Sequence, residues 1–204
     1  MNFLAHLQLA EDTPESRLGS LLGDFVRGYP WDSRYSDAVW TGIVEHRYVD
    51  AFTDSHESWQ KSRELLPSEL RRFAGIIVDI FYDYFLHKHW NQFSPNQSLN
   101  EFVDTVHAQL REVIGIAPPE AAEAIKSMIR QDWLREYSSL DGIDLTLRRV
   151  SHRSPILTPI FDSAQILEKH TEELESHFLE FYPDLAAYMP KVRTQIQEER
   201  ETSR

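Results

Sequence analysis

The chain contains no cysteine. That excludes disulfides, thiolate metal sites and cysteine nucleophiles. Glycine is scarce, at seven residues, and neither a phosphate loop nor a glycine-rich dinucleotide turn is present. Serine nucleophile motifs are missing too. Nothing alternates between polar and apolar with period two over any length, which argues against a sheet. No apolar run approaches the length needed to cross a bilayer. The opening Met1-Asn2-Phe3-Leu4-Ala5-His6 lacks the basic region and long apolar core of a signal peptide. A cytoplasmic location is therefore expected.

What is present is acidic and helical. Hydrophobic residues make up 41% of the 204, enough for a sizeable core. The formal charge is −12. An acidic chain repels nucleic acid unless it carries a concentrated basic patch, so neither nucleic acid nor membrane is expected as a partner. The spacing predicts one all-α domain, a helical bundle over residues 1–194, followed by a charged tail at 195–204 that is frayed or disordered. Thr13-Pro14 caps a helix closed by Gly28 and Pro30. A second helix is predicted from Ser36 to Trp59, and a third from Pro67-Ser68 to just before Ser94-Pro95. Ser98 and Glu101 form a capping box for a fourth. Pro118-Pro119 opens a fifth, reaching Tyr137, with shorter helices over 141–151 and 162–181. Pro183 and Pro190 punctuate the last segment.

Two clusters carry chemistry. The window from Gly75 to Leu86 is apolar almost all round, the pattern of a buried helix, yet it holds Asp79 and Asp83. Four residues apart, they share a helix face. Buried carboxylates are costly unless paired or bound to a cation, and adjacent ones repel. Salt bridges to arginines are the ordinary explanation; one metal ion would account for both together. The second cluster is His46-Arg47-Tyr48-Val49-Asp50-Ala51-Phe52-Thr53-Asp54. His46, Asp50 and Asp54 step by four, and imidazole with carboxylate suits Mn²⁺, Fe²⁺ or Zn²⁺. A solvated polar face is the plainer alternative. His6 taken alone is a core histidine, and Asp24 a helix-end carboxylate.

Taken in order, Met1-Asn2-Phe3-Leu4-Ala5-His6, Gly23-Asp24-Phe25-Val26, the His46–Asp54 segment and Asp79–Leu86 resemble the acyl carrier protein phosphodiesterase family. His89-Trp90 and Phe181-Tyr182-Pro183 extend the likeness. The resemblance implies an all-α fold related to the HD metal-dependent phosphohydrolases. It also implies removal of 4′-phosphopantetheine from holo acyl carrier protein, with a divalent cation, Mn²⁺ foremost and Mg²⁺ or Fe²⁺ as options. Asp24, His46, Asp50 and Asp79 are carried over as metal positions, with His6 beside them. Asp54 or Asp83 would orient the water or act as base, and Arg47 or Lys88 would stabilise the phosphoryl group. Two departures stand out. The chain has no adjacent His-Asp pair, and Tyr84 stands where the family often has histidine, a role open to Tyr84 or His87. Acidic carrier proteins, as the resemblance implies, would dock on the basic Arg148-Arg149-Val150-Ser151-His152-Arg153. Arg71-Arg72 would lie nearer the catalytic mouth.

An HD-type activity on a nucleotide and a non-enzymatic helical interaction protein are the alternatives left open. A ferritin-like di-metal oxidase needs Glu-x-x-His on two helices, and the chain has none.

Overall fold

A computed structural model of the protein describes residues 1–28 and 31–202. Pro30, expected to close the first long helix, lies outside them. Among the described residues there are twelve α-helices and no strand. The all-α, single-domain expectation holds, and no helix is long and apolar enough to cross a membrane.

The centre is α5 (Ala74–Lys88), buried along Ile77, Val78, Ile80, Phe81, Tyr82, Phe85 and Leu86. Around it pack α1 (Phe3–Leu9), α4 (Glu57–Glu64), α10 (Leu140–Ser151) and α12 (Thr171–Thr202). Beside this group, α2 (Pro14–Leu22) and α3 (Asp37–Ser55) pack together along their lengths. Their close approach depends on two glycines. A Cβ on Gly19 would meet the Val39 carbonyl at 2.3 Å, and one on Gly42 would meet the Ser16 carbonyl at 2.5 Å. The short α6 (Trp90–Phe93), then α7 (Leu99–Val113), α8 (Pro119–Gln131), α9 (Trp133–Glu136) and α11 (Ala164–Lys169) complete the chain.

Local signals in the sequence set several helix starts. Thr13 accepts from the Ser16 amide and Pro14 opens α2. Ser98 and Glu101 make the reciprocal capping box of α7. Other boundaries differ from expectation. The helix predicted from Ser36 to Trp59 breaks at His56, whose backbone is extended (ψ 133°) and whose Nδ1 caps α4 by accepting from Ser58. Left-handed Asp132 (φ 55°) divides the predicted fifth helix into α8 and α9. The N-terminal segment, for which the spacing predicts no helix, forms α1.

The largest difference is α12, which runs unbroken through Pro183 and Pro190. An interior proline costs about 3 kcal/mol of helix stability. Phe178, Phe181, Tyr182, Leu185, Met189 and Val192 all lie buried along this helix. Each fully buried large apolar side chain contributes about 1.5–3 kcal/mol, so the buried seam outweighs two prolines. The charged segment from Gln195 is helical as far as Thr202. Ile196 is buried in a small cluster with Val44 and Val192, Gln195 donates to the Tyr48 hydroxyl (2.7 Å), and Arg200 pairs with Asp37.

Candidate metal centre and active site

His46 and Asp50 sit one turn apart on α3, and their side chains meet, with Nε2 to Oδ2 at 3.0 Å. Helix α1 lays His6 over them. The two imidazoles stack at 4.0 Å and 14°, and His6 Nε2 is 3.2 Å from the other Asp50 oxygen. One ligand atom each from His6, His46 and Asp50 falls within 4.8 Å of the others. Asp24, just past α2, lies 3.4 Å from His46 Nε2. Asp79, on α5, completes the group through the Met1 nitrogen, which is 3.0 Å from Asp79 and 3.3 Å from Asp50. The Trp59 indole N–H steadies the second Asp79 oxygen at 3.1 Å.

The orientation of His46 is fixed from behind. Its Nδ1 faces the Ser20 carbonyl at 2.8 Å. A carbonyl only accepts, so Nδ1 carries hydrogen, and Nε2 is the atom presented to Asp24 and Asp50. Gly23 leaves room for the ring, since a Cβ there would lie 2.1 Å from His46 Cδ2. That buried Nε2 has no well-aligned hydrogen-bond partner, and neither does the buried Nδ1 of His6.

The charges are strongly coupled. Burial opposes the His46 imidazolium, but Asp24 and Asp50 more than offset this and raise its pKa to about 9. Burial and the neighbouring His46 charge lower His6 to about 4. Burial would raise Asp50, yet the two imidazoles and the Met1 ammonium hold it well below the usual carboxylate range. Asp79 is raised, by burial above all, against the pull of the Met1 ammonium and Trp59. Two imidazoles among several carboxylates, with two buried ring nitrogens that lack a well-aligned hydrogen bond, suit a divalent cation of the Mn²⁺, Fe²⁺ or Zn²⁺ type.

This group forms one side of a cavity of about 400 Å³. Asp54 lines it from the next turn of α3, and Phe3, Ile76, Trp133, Tyr137 and Leu157 supply apolar surface. The sequence matches the family model described as acyl carrier protein phosphodiesterase over residues 1–185. The chain belongs to the acyl carrier protein phosphodiesterase family. It is 39% identical over 183 residues to the acyl carrier protein phosphodiesterase of Enterobacter sp. (strain 638), covering 90% of this chain and 94% of that one. It is 38% identical over 187 residues to those of Salmonella agona (strain SL483) and Salmonella newport (strain SL254), covering 92% of this chain and 96% of each relative. No solved structure matches.

Several residues expected at the phosphodiesterase site stand elsewhere. Asp83 does not share a ligand position with Asp79. It is fully buried and accepts the Leu4 and Ala5 amides at 2.8 and 3.1 Å, serving the open end of α1. Asn2, the N-cap, provides no side-chain bond there. Arg47 donates to the Val26 carbonyl at 2.8 Å and does not line the cavity. Lys88 pairs with Glu175 at 2.7 Å, and neither Tyr84 nor His87 reaches the cavity. The basic stretch nearer the cavity is not the one expected. Arg149 and Arg153 line the cavity, whereas Arg71 donates to the Leu66 and Glu64 carbonyls and Arg72 lies over Phe73. Sequence reasoning missed Trp59, the Met1 nitrogen, Trp133 and Tyr137. Of these, Trp59 and Tyr137 carried a weak signal, as aromatics at predicted helix ends; the Met1 nitrogen carried none.

Proposed function

We propose that this chain hydrolyses the phosphodiester joining 4′-phosphopantetheine to the serine of holo acyl carrier protein, using a divalent cation held by His46, Asp50, Asp79 and Asp24, with His6 alongside. The observation that carries the reading is the convergence of His6, His46 and Asp50 on one point beside the cavity, within a chain of this family. His46 and Asp50, a turn apart on α3, take the place of the adjacent His-Asp pair of the HD phosphohydrolases. A bound cation would place positive charge at the phosphoryl oxygens and make water a stronger acid; Mn²⁺ is the ion the resemblance favours.

The chain's own groups do the rest. The Ser20 carbonyl fixes the His46 tautomer, and Trp59 fixes Asp79. Exposed Asp54 lines the cavity and serves to orient the attacking water or take its proton. The bond between phosphorus and the serine oxygen breaks, the serine oxygen gains a proton, and the phosphate leaves with the pantetheine arm. On the surface, Arg148 stands one turn of α10 from exposed Leu145, a mixed basic and apolar face suited to docking an acidic carrier protein in the cytoplasm.

The test is hydrolysis of holo carrier protein before and after chelation. Chelated protein is expected to be inactive and Mn²⁺ to restore it, with His46→Ala and Asp50→Ala inactive throughout. Because His46 is protonated below about 9 in the metal-free protein, Mn²⁺ binding at neutral pH should release a proton, and affinity should fall with falling pH. Full turnover after rigorous metal removal would overturn the reading.

A further inference from the structure

The two arginines that line the cavity are Arg149, in the last turn of α10, and Arg153, two residues past its end, and they differ in one respect. Arg149 is committed: its guanidinium makes two hydrogen bonds to the Glu136 carboxylate, one of them at 3.1 Å. Arg153 is not. Among the described residues its guanidinium makes no hydrogen bond and no ion pair; its partner is the face of Trp133, 5.6 Å away. Trp133 is a firm support. Left-handed Asp132 turns the chain just before it, Arg135 ties Asp132 to Asp104 on α7, and the indole lies against Phe3 at 6.0 Å.

A guanidinium with open donors is placed where an anion must enter. With Arg149 committed to Glu136, Arg153 is the cavity's open guanidinium, on the wall away from the carboxylates that would hold the cation, and Asp54 adds a further negative charge for an entering phosphodiester to offset. Arginine suits phosphate because its planar donors match two phosphate oxygens at once. A cation–π contact with an aromatic face engages none of the guanidinium's N–H donors and limits the entropy lost on binding. We infer that Arg153, laid against Trp133, grips the phosphate of the pantetheine arm and retains it after cleavage. This rests on the proposed substrate. The product phosphate is a monoester and bears more negative charge than the diester, so Arg153 binds the product more strongly than the substrate. Trp133 is then a positioning residue.

The experiment compares 4′-phosphopantetheine with pantetheine, which lacks the phosphate, by calorimetric titration into the Mn²⁺-loaded protein. Arg153→Gln is expected to weaken 4′-phosphopantetheine binding by about tenfold to a hundredfold, as for loss of a charge-assisted hydrogen bond. Pantetheine binding should be unchanged, which also reports an intact fold. Arg153→Lys should fall between, since it keeps the charge and loses the planar fork. In turnover, Arg153→Gln should raise KM and relieve inhibition by 4′-phosphopantetheine. The inference is overturned if the affinity ratio of the two ligands matches that of the wild type. It is equally overturned if Arg153→Gln weakens only apo carrier protein binding, which would make Arg153 a docking residue. Failure of the wild type to hydrolyse holo carrier protein would instead refute the proposed substrate.

Discussion

Replacing Asp83 by asparagine should change stability in a pH-dependent way that only a buried, capping carboxylate produces. The side chain is fully buried. Burial pushes its pKa up from 3.8 to about 7, although the Leu4 and Ala5 amides and the Met1 ammonium pull the other way. The folded state thus favours the protonated form, opposite to the usual salt-bridged aspartate. The stability this group contributes is fully present below about pH 4 and is lost as pH rises through about 7. Linkage between folded and unfolded values makes the loss from pH 5 to pH 8 about 2–3 kcal/mol. The amide of Asp83→Asn would keep the shape and one acceptor but cannot ionise. The variant should therefore gain about 2–3 kcal/mol on the wild type over that interval, whatever its offset at pH 5. Urea denaturation at pH 5, 6, 7 and 8 with chelator present measures this directly. A difference that stays constant across the range would refute the reasoning. So would near-normal stability combined with lost turnover in Mn²⁺, which would return Asp83 to the chemistry.

The remaining predictions concern the walls of the site and its surroundings. Gly23→Ala would drive a methyl into the His46 ring, 2.1 Å from Cδ2; overpacking of this kind costs about 1–3 kcal/mol. A ring displaced by an ångström can lose about a hundredfold in rate, so turnover and Mn²⁺ affinity should collapse while most of the protein stays folded, and normal turnover would contradict the geometry. Arg148→Gln is preferable to a charge reversal, which would set glutamate against Asp144 and Asp162. It should raise KM for holo carrier protein about threefold to tenfold at low salt and less at high salt, since exposed charges are screened. Hydrolysis of a small phosphodiester should be unaffected; equal loss on both substrates would rule out a docking role.

Much of this fold was written locally. The Thr13-Pro14 and Ser98–Glu101 signals act within one turn, so they could be read without any knowledge of neighbours. The spacing of His46 and Asp50 put them on one helix face, and the structure brings them into contact. Asp79 and Asp83 misled for the same reason that they stood out. A shared helix face says that two carboxylates lie a turn apart, but not what each one meets. Asp79 meets the Met1 nitrogen and Trp59, and Asp83 meets the start of α1.

Composition, periodicity and ordered motifs were enough for the all-α class, the absence of thiol chemistry, the family and a short list of candidate ligands, because each of these is read from the chain before it folds. Which of those ligands converge is a matter of packing. His6, Asp24, Asp79 and the His46–Asp50 pair come from four separate segments, and only the packing of α1, α2, α3 and α5 sets the separations between them. Packing also carries α12 through Pro183 and Pro190, since a backbone penalty visible in sequence was outweighed by burial visible only in the fold. Finally it separates Arg149 from Arg153. Their spacing in sequence is that of two equivalent cations on one helical face; Glu136 occupies one and Trp133 leaves the other open.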